Sequence, residues 1–292
     1  MTLPLNRPAT GQKIIALVCN PTAGKGKGLL LLNEITFALR SRGYTFTAYS
    51  GNWPRHFKEF TEVWIIGGDG TLNFFINRYP EISLPIALFK GGSGNDFAWK
   101  LYGSKSTEEY LEMVLKGNIT HVDAGLCNGR YFINGVGIGF DGEVVKSMGT
   151  RRFFSAGHLS YFAIVLKKIF FYREKKMSFV TGGRGWTEKI FMVSIANGSR
   201  YGGGFLVAPD ADIGDGELDI ILIRPIPFFR RLFYLPKVEK GKHLGLHFVE
   251  FLREKNILVS SPVPLAAHLD GELIEADSFK IEILPGKFSF CR

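Results

Sequence analysis

Val63-Trp64-Ile65-Ile66-Gly67-Gly68-Asp69-Gly70-Thr71-Leu72-Asn73 reads as a buried strand that ends in two glycines, a carboxylate, a third glycine and a hydroxyl. Glycines directly after an apolar strand let backbone N–H groups approach a phosphate, and a helix opening near Thr71 aims its positive dipole end at the same point. A carboxylate facing bound phosphate needs a cation between them, so Asp69 points to Mg²⁺ held directly or through water. A capped strand-to-helix turn uses the same residue types but does not need such glycine density.

Two further junctions repeat this chemistry. After the apolar run Lys13 to Cys19 comes Asn20-Pro21-Thr22-Ala23-Gly24-Lys25-Gly26-Lys27-Gly28, followed by a helical pattern carrying Leu29, Leu32, Ile35 and Leu39. It lacks the spacing of a Walker A loop, and Lys25 and Lys27 offer charge to a phosphate by another device. After Pro85 to Phe89 comes Lys90-Gly91-Gly92-Ser93-Gly94-Asn95-Asp96-Phe97-Ala98. Three such junctions within the first hundred residues predict convergence at the carboxyl edge of one parallel sheet, where open α/β folds bind ligands.

These loops, taken with later motifs, resemble the diacylglycerol kinase catalytic-domain family, which includes bacterial soluble lipid kinases and sphingosine kinases. The later motifs are Asp123, Asn134-Gly135-Val136-Gly137-Ile138-Gly139, Asn197, Gly202-Gly203-Gly204, Pro209, Asp215-Gly216-Glu217-Leu218-Asp219 and Asp270-Gly271-Glu272. A glycine-aspartate loop alone also fits phosphofructokinases and NAD kinases. The Asn-Pro loop and the late Asp-Gly-Glu together favour the lipid kinases. Four positions depart from the common pattern: Lys90 and Gly91 replace Pro and Leu, Ser93 replaces Thr, and Trp99 replaces Arg.

The resemblance implies ATP as co-substrate and Mg²⁺ as cofactor. The expected nucleotide contacts are Asn20, Thr22, Gly24, Lys25, Gly67, Gly68, Asp69, Gly70, Thr71, Asn73, Ser93 and Asn95. Asp69, Asp96 and Asp123 are implied as a carboxylate set that organises Mg²⁺ and its waters, and Glu272 as the general base on the acceptor hydroxyl, with Asp69 beside it as a catalytic residue. The resemblance also implies a second, structural metal site, in which the Asp215 carboxylate joins main-chain carbonyls near Asp212 and Glu217. The same letters also spell a plain hairpin turn.

Strand and helix patterns alternate up to about residue 123. Strands read at 13–19, 44–50, 63–67 and 85–89, and Ser106-x-x-Glu109 signs the capping box of a helix ending near Gly117. Hairpin patterns follow: 124–127 with 131–138 around Asn128-Gly129, 178–181 with 190–195, and strands at 218–223, 257–260 and 279–284. The expected architecture is an α/β nucleotide-binding domain over 1–124 and an antiparallel, β-sandwich-like lipid-substrate domain over 125–292, with the site in the cleft between them.

Among 292 residues, 46% are hydrophobic, enough for a sizeable core, and three scattered cysteines form neither metal nor disulfide spacing, which suits a reducing cytoplasm. Pro4 and Pro8 interrupt the N-terminus, so no signal peptide is expected, and no apolar run reaches the ~18 residues of a membrane span. The net charge of +9 includes cations interleaved with aromatics: Arg151-Arg152-Phe153-Phe154, Lys167-Lys168-Ile169-Phe170-Phe171 and Phe228-Phe229-Arg230-Arg231-Leu232-Phe233. Such segments suit an anionic bilayer, and also suit core helices with a solvated basic face. No nucleic-acid motif accompanies the charge. His243 and His247 stand four apart without a third metal ligand, and Gly91 to Asn95 lacks the triad context of a hydrolase elbow.

The sequence therefore reads as a cytoplasmic lipid kinase, peripheral on the inner membrane surface and open to oligomerisation, that phosphorylates diacylglycerol or a related lipid alcohol. A sphingoid-base kinase, an NAD-kinase-like enzyme with a soluble substrate and a catalytically silent membrane-binding protein are the alternatives.

Overall fold

The structure, a computed structural model, describes residues 13–149 and 158–292, with side chains from 164 onward in the second stretch. The first half alternates strand and helix: β1 (Ile14–Cys19), a 3-10 turn (Ala23–Gly26), α1 (Lys27–Ser41), β2 (Thr45–Ser50), β3 (Glu62–Gly67), α2 (Asp69–Arg78), β4 (Ile86–Lys90), α3 (Asp96–Tyr102) and α4 (Thr107–Leu115). The four strands are parallel in the order β4-β3-β1-β2. Every residue of β3 is buried, as expected of a strand with both faces covered. Ser106 and Glu109 form the expected capping box at the start of α4, each bonding the other's backbone N–H.

The second half contains β5 (Ile119–Cys127), β6 (Arg130–Phe132), β7 (Gly135–Gly139), α5 (Phe140–Met148), α6 (His158–Phe171), β8 (Lys175–Thr181), β9 (Arg184–Ile190), β10 (Met192–Ala196), β11 (Leu218–Ile223), α7 (Phe228–Glu239), β12 (Val249–Glu254), β13 (Asn256–Leu269) and β14 (Glu272–Cys291). Its pairings are antiparallel, with β7, β10, β11 and β12 side by side and the long β13–β14 hairpin joined to β5, β7 and β8.

Several expected strands take different bounds. The run 131–138 breaks at Ile133-Asn134, where the backbone turns to donate to Asp270. β8 pairs with 184–190 through a Gly182-Gly183 turn, and Phe191 separates that strand from β10, which belongs to the other side of the sheet. Asn134-Gly135 offers a local turn signal for the first break, whereas the second falls inside the apolar run Ile190 to Val193, where periodicity marks nothing.

The two halves share elements. Residue 124, the expected boundary, falls inside β5. Beyond a register shift between Leu284 and Phe288, β14 returns to the first half, pairing along the start of β5 and meeting β4 at Phe290–Ile86. Phe288, Phe290 and Cys291 pack into the first core beside Val122 and Ala124. Each buried ring contributes about 1.5–3 kcal/mol of apolar burial, so the chain's last residues clamp the halves together. A second core lies between the strands of the second half, and a third lies beneath α5, α6 and α7.

Candidate functional site

The three glycine loops meet at the carboxyl ends of β1, β3 and β4. A Cβ on Gly24 would stand 2.4 Å from the Gly91 carbonyl oxygen, and one on Gly92 would stand 2.4 Å from the Gly68 Cα. Only glycine permits those approaches, so the glycine density has a packing cause of its own. Asn20 shapes the first loop, accepting from the Thr22 N–H and hydroxyl (3.1 and 2.8 Å) while its Nδ2 donates to Thr71 Oγ1 (3.3 Å). Asn95, in the left-handed region at φ 53°, closes the third loop: Gly92 N–H donates to its Oδ1 (3.0 Å) and its Nδ2 donates to Gly92 O (2.8 Å). Thr22, Lys25 and Ser93 are exposed at this edge, whereas Gly67, Gly68 and Thr71 are buried beneath it.

Asp69 opens α2, two residues before the expected start at Thr71, and its carboxylate receives the Asp96 and Phe97 N–H groups (2.8 and 2.9 Å) at the N-terminus of α3. Burial, reinforced by the charge of Asp96, pushes its carboxyl up to about 6, against the pull of those two amides. Asp96 is held by Arg200 Nε at 2.9 Å and by the Gly203 N–H at 3.1 Å. Burial raises its carboxyl, and Arg200 opposes that rise. A Cβ on Gly94 would lie 3.1 Å from Asp69 Oδ2 and 3.8 Å from Asp96 Oδ2, so glycine keeps space clear beside both carboxylates. Mg²⁺ retains several waters and takes one or two carboxylates plus substrate phosphates. Asp69 and Asp96 fit such a hydrated ion.

The expected three-carboxylate set is not assembled. Asp123 is buried with Oδ2 on the Gly216 N–H (2.7 Å) and Oδ1 on the Gly286 N–H (2.6 Å), so it fastens two turns instead of facing Asp69. Asp212 and Asp215 lie in the loop before β11, where their side chains shape local turns. Asp212 accepts from Gly214 N–H (3.1 Å) and Asp215 from Glu217 N–H (3.0 Å), which are ordinary local turn bonds. Among the described residues, no three His, Cys, Asp or Glu side chains form a metal-holding group.

Asn73 is a further correction. Instead of facing the nucleotide edge, it is buried, with Nδ2 on the Tyr131 carbonyl (3.2 Å) and on Asp270 Oδ2 (3.0 Å). Asp270, read from sequence as a turn residue, also accepts the N–H groups of Ile133, Asn134 and Gly135 at 2.7–2.9 Å. It ties the hairpin tip of β13–β14 to α2, and its charge contributes to the raised carboxyl of Asp69. Glu272 follows at the exposed start of β14. Lys90, from the departing third loop, donates to Gly103 O (2.5 Å) and braces the turn after α3.

The loop after β10 connects this edge to a narrow apolar cavity of about 80 Å³ in the second half, walled by α5, α6, α7 and the sheet. Arg200 and Gly203 touch Asp96, while Tyr201 and Gly202 line the cavity. Tyr201 bonds Asp141 Oδ2 and Ser194 Oγ, both at 2.9 Å. Burial raises the Asp141 carboxyl to about 6 and lowers buried His268 to about 4.

The outer ends of α6 and α7 expose Phe170, Phe171, Phe228, Phe229 and Phe233, Phe171 to 78% and Phe233 to 72%. Phe170 lies 6.4 Å from Phe228, which lies 5.7 Å from Phe229, so the two helices share one aromatic patch. Arg230 is exposed there, but Arg231 is buried. Its guanidinium bonds the carbonyls of Ile226, Ile169 and Tyr172 and pairs with Glu174 at 2.5 Å, which makes it an internal tie between the helices and not a membrane cation. Arg151, Arg152, Phe153 and Phe154 lie outside the described residues. Among the described residues, no helix is long and apolar enough to cross a membrane.

Residues 14–127 match the family described as diacylglycerol kinase catalytic domain, and residues 134–292 match the YegS C-terminal NAD kinase beta sandwich-like domain. A "Probable lipid kinase YegS-like" protein of Shewanella frigidimarina is 27% identical over 273 residues, covering 89% of this chain and 88% of its own. A diacylglycerol kinase of Mycobacterium tuberculosis is 26% identical over 300 aligned residues, covering 96% and 95%. A crystal structure of a diacylglycerol kinase from Bacillus anthracis superposes with a TM-score of 0.72 at 21% identity, covering 97% of this chain and 98% of that one, and shares the fold. The chain belongs to this family of ATP-dependent lipid kinases, with a diacylglycerol kinase catalytic domain followed by a YegS-type sandwich domain.

Proposed function

We propose that this member of the family transfers the terminal phosphoryl group of ATP to the hydroxyl of a membrane lipid alcohol, diacylglycerol or a closely related lipid. One observation carries the reading: the loop after β10 touches Asp96 at the phosphate edge with one side and lines an apolar cavity with the other. Its apolar lining suits the start of an acyl chain better than a polar, soluble acceptor.

In this reading the first half, to about residue 124, binds ATP through Asn20, Thr22, Gly24, Lys25, Gly68, Gly70, Ser93 and Asn95, with the backbone N–H groups of the loops cradling phosphate. Thr71 and Gly67 support those loops from beneath. Asp69 and Asp96 would hold Mg²⁺ through water, and the ion when bound neutralises the phosphate charge that develops in transfer. Glu272 takes the proton of the acceptor hydroxyl as that oxygen bonds to phosphorus and the bond to the ADP oxygen breaks. The approach of Asp270 to Asp69 supports placing the neighbouring Glu272 near the phosphate edge. The lipid reaches the cavity from an anionic bilayer on which the phenylalanine patch and Arg230 rest, with rings at the interface and the cation at head groups. That surface is the cytoplasmic face of the inner membrane.

A sphingoid base is the second reading, because Asp141 places a carboxylate on the cavity wall, where an ammonium group would pair with it. Incubation of the pure protein with labelled ATP, Mg²⁺ and separate acceptors tests both: vesicle-borne diacylglycerol, a sphingoid base and NAD. Label in diacylglycerol is the expected result. Label confined to NAD would replace the lipid reading with a soluble-substrate kinase.

A further inference from the structure

Arg200 stands where the halves meet, between Asn197 and the Gly202-Gly203-Gly204 run, and is not itself among the residues those motifs single out. Its backbone is fixed from both sides. Asn197 and Gly198 N–H groups donate to Asn134 O (2.9 and 2.8 Å), Ser199 O accepts from Ala208 N–H (3.2 Å), and the Tyr201 hydroxyl is held by Asp141 and Ser194. From this platform the guanidinium crosses to the first half. It pairs with Asp96 and lies with Cζ 4.1 Å from the centroid of Trp99.

Such a stack and ion pair fix the plane of the guanidinium, so little rotamer freedom remains to be lost when it meets an anion. The side chain keeps 19% exposure, and its ion pair with Asp96 engages one nitrogen of a group with five N–H donors. Lys90 sits close enough to feel its charge, which adds to burial in pushing that amine down.

We propose that Arg200 is a phosphate ligand supplied by the second half, which closes on the terminal phosphate of ATP and stabilises the phosphoryl group during transfer. The proposal rests on the kinase reading above. A phosphoryl group passing from a nucleotide on the first half to an acceptor on the second must cross the boundary that Arg200 spans. Charge develops there during transfer, and a planar fork held in advance meets it without reorganisation. Trp99 then acts as a positioning residue, since it touches the guanidinium and not the phosphate.

The test measures binding of ADP and of a non-hydrolysable ATP analogue by calorimetry, with Mg²⁺, in wild type, Arg200→Lys and Arg200→Met, together with kcat on diacylglycerol. Arg200→Lys keeps a cation for buried Asp96, so it guards against a folding defect, which thermal melting checks for both variants. The expected result is a loss of about tenfold or more in affinity for the ATP analogue in Arg200→Met, little change for ADP, and kcat lower by about 10²–10³-fold. Arg200→Lys should fall between, because it keeps charge but not the fork. A purely structural role would weaken both nucleotides alike and lower the melting temperature, and that outcome, or unchanged binding and turnover in Arg200→Met, overturns the proposal. Wild-type protein that binds neither nucleotide would overturn the kinase reading and this proposal with it. Wild-type binding with no ADP/ATP difference among the variants would overturn this proposal alone.

Discussion

The phosphate edge of the first half and the helical face of the second are built by opposite means. At the edge, backbone meets backbone: Gly24 against Gly91 and Gly68 against Gly92, at distances no side chain survives. On the second half, chemistry is assembled from side chains far apart in sequence: Asp270 gathers three amides near residue 134 and the amide of Asn73, while Arg231 on α7 binds the carbonyls of Ile169 and Tyr172 at the end of α6. A site made of backbone writes itself locally as glycine motifs. A site made of distant side chains leaves no local mark.

The largest effect should come from the one side chain that belongs to both kinds of construction. Asp69→Ala should lower turnover by about 10³-fold or more, through lost organisation of the phosphate site. It also strips the α3 amides of their acceptor, which costs on the order of 1 kcal/mol of stability. Asp69→Asn separates the two roles: it keeps an acceptor for an amide but not the charge, so melting should recover while turnover stays low. Recovered turnover would make Asp69 a helix cap and nothing more.

Adjacent arginines sharpen the contrast further. Arg231→Gln should destabilise the protein by about 3 kcal/mol, since it leaves Glu174 and several carbonyls without their cation, while Arg230→Gln stays within about 0.5 kcal/mol. Vesicle sedimentation should reverse the order, with Arg230→Gln weakening binding to anionic vesicles most at low salt, where the charge it removes is least screened. Equal denaturation midpoints for the two variants would contradict the buried tie.

His268 tests the side-chain interior by pH. Its folded value of about 4 lies below the ordinary histidine range because burial disfavours the cation, so the unfolded chain binds more protons between the two values. The stability it contributes is present above about pH 6.5 and is lost as pH falls through about 4, by about 3 kcal/mol in total. Asp69 and Asp141, with raised carboxyls, run the other way and lose stability as pH rises through about 6. Comparing urea unfolding of wild type with His268→Gln across that window isolates the histidine. Parallel pH profiles in the two proteins would show that His268 is not buried as a neutral ring.

The smallest expected effect compares two glycines. Gly92→Ala drives a methyl into Gly68 and should weaken ATP binding by about tenfold. Gly129, at φ 82° with open space around it, should cost about 1 kcal/mol of stability as alanine without touching ATP affinity. Matching nucleotide affinities for both variants would mean that the interlocked loops do not shape the phosphate site.

The same contrast governs how much the sequence discloses. The parallel strands, the three loops and the Ser106 capping box are legible because strand burial, glycine geometry and capping are local physics. The antiparallel character of the second half is legible too, but the exact breaks at Ile133-Asn134 and Phe191 are not, because tertiary pairing decides whether Asn134-Gly135 ends a strand and where the apolar run from Ile190 divides. Asn73 and Asp123 look like site residues by motif, yet burial turns both into internal fasteners. Arg200 carries no signal until the fold brings Asp96 to it, and Asp270, though it opens the Asp-Gly-Glu motif, shows its fastening role only once Asn73 and the amides near residue 134 meet it. Arg231 sits one residue from exposed Arg230, and only the angle of α7 on α6 decides which of them meets solvent.

Central to the account is a cleft that joins phosphate loops to an acyl cavity, and the rate of labelled phosphate transfer from ATP tests it most directly. Val238 lines the cavity from α7 and is half-buried, so Val238→Trp fills space without replacing a core residue. Transfer to long-chain diacylglycerol should fall about tenfold or more in that variant, while transfer to a short-chain analogue stays within about twofold of wild type. A variant that treats both chains like wild type, or a wild-type protein that labels neither lipid, would contradict the account.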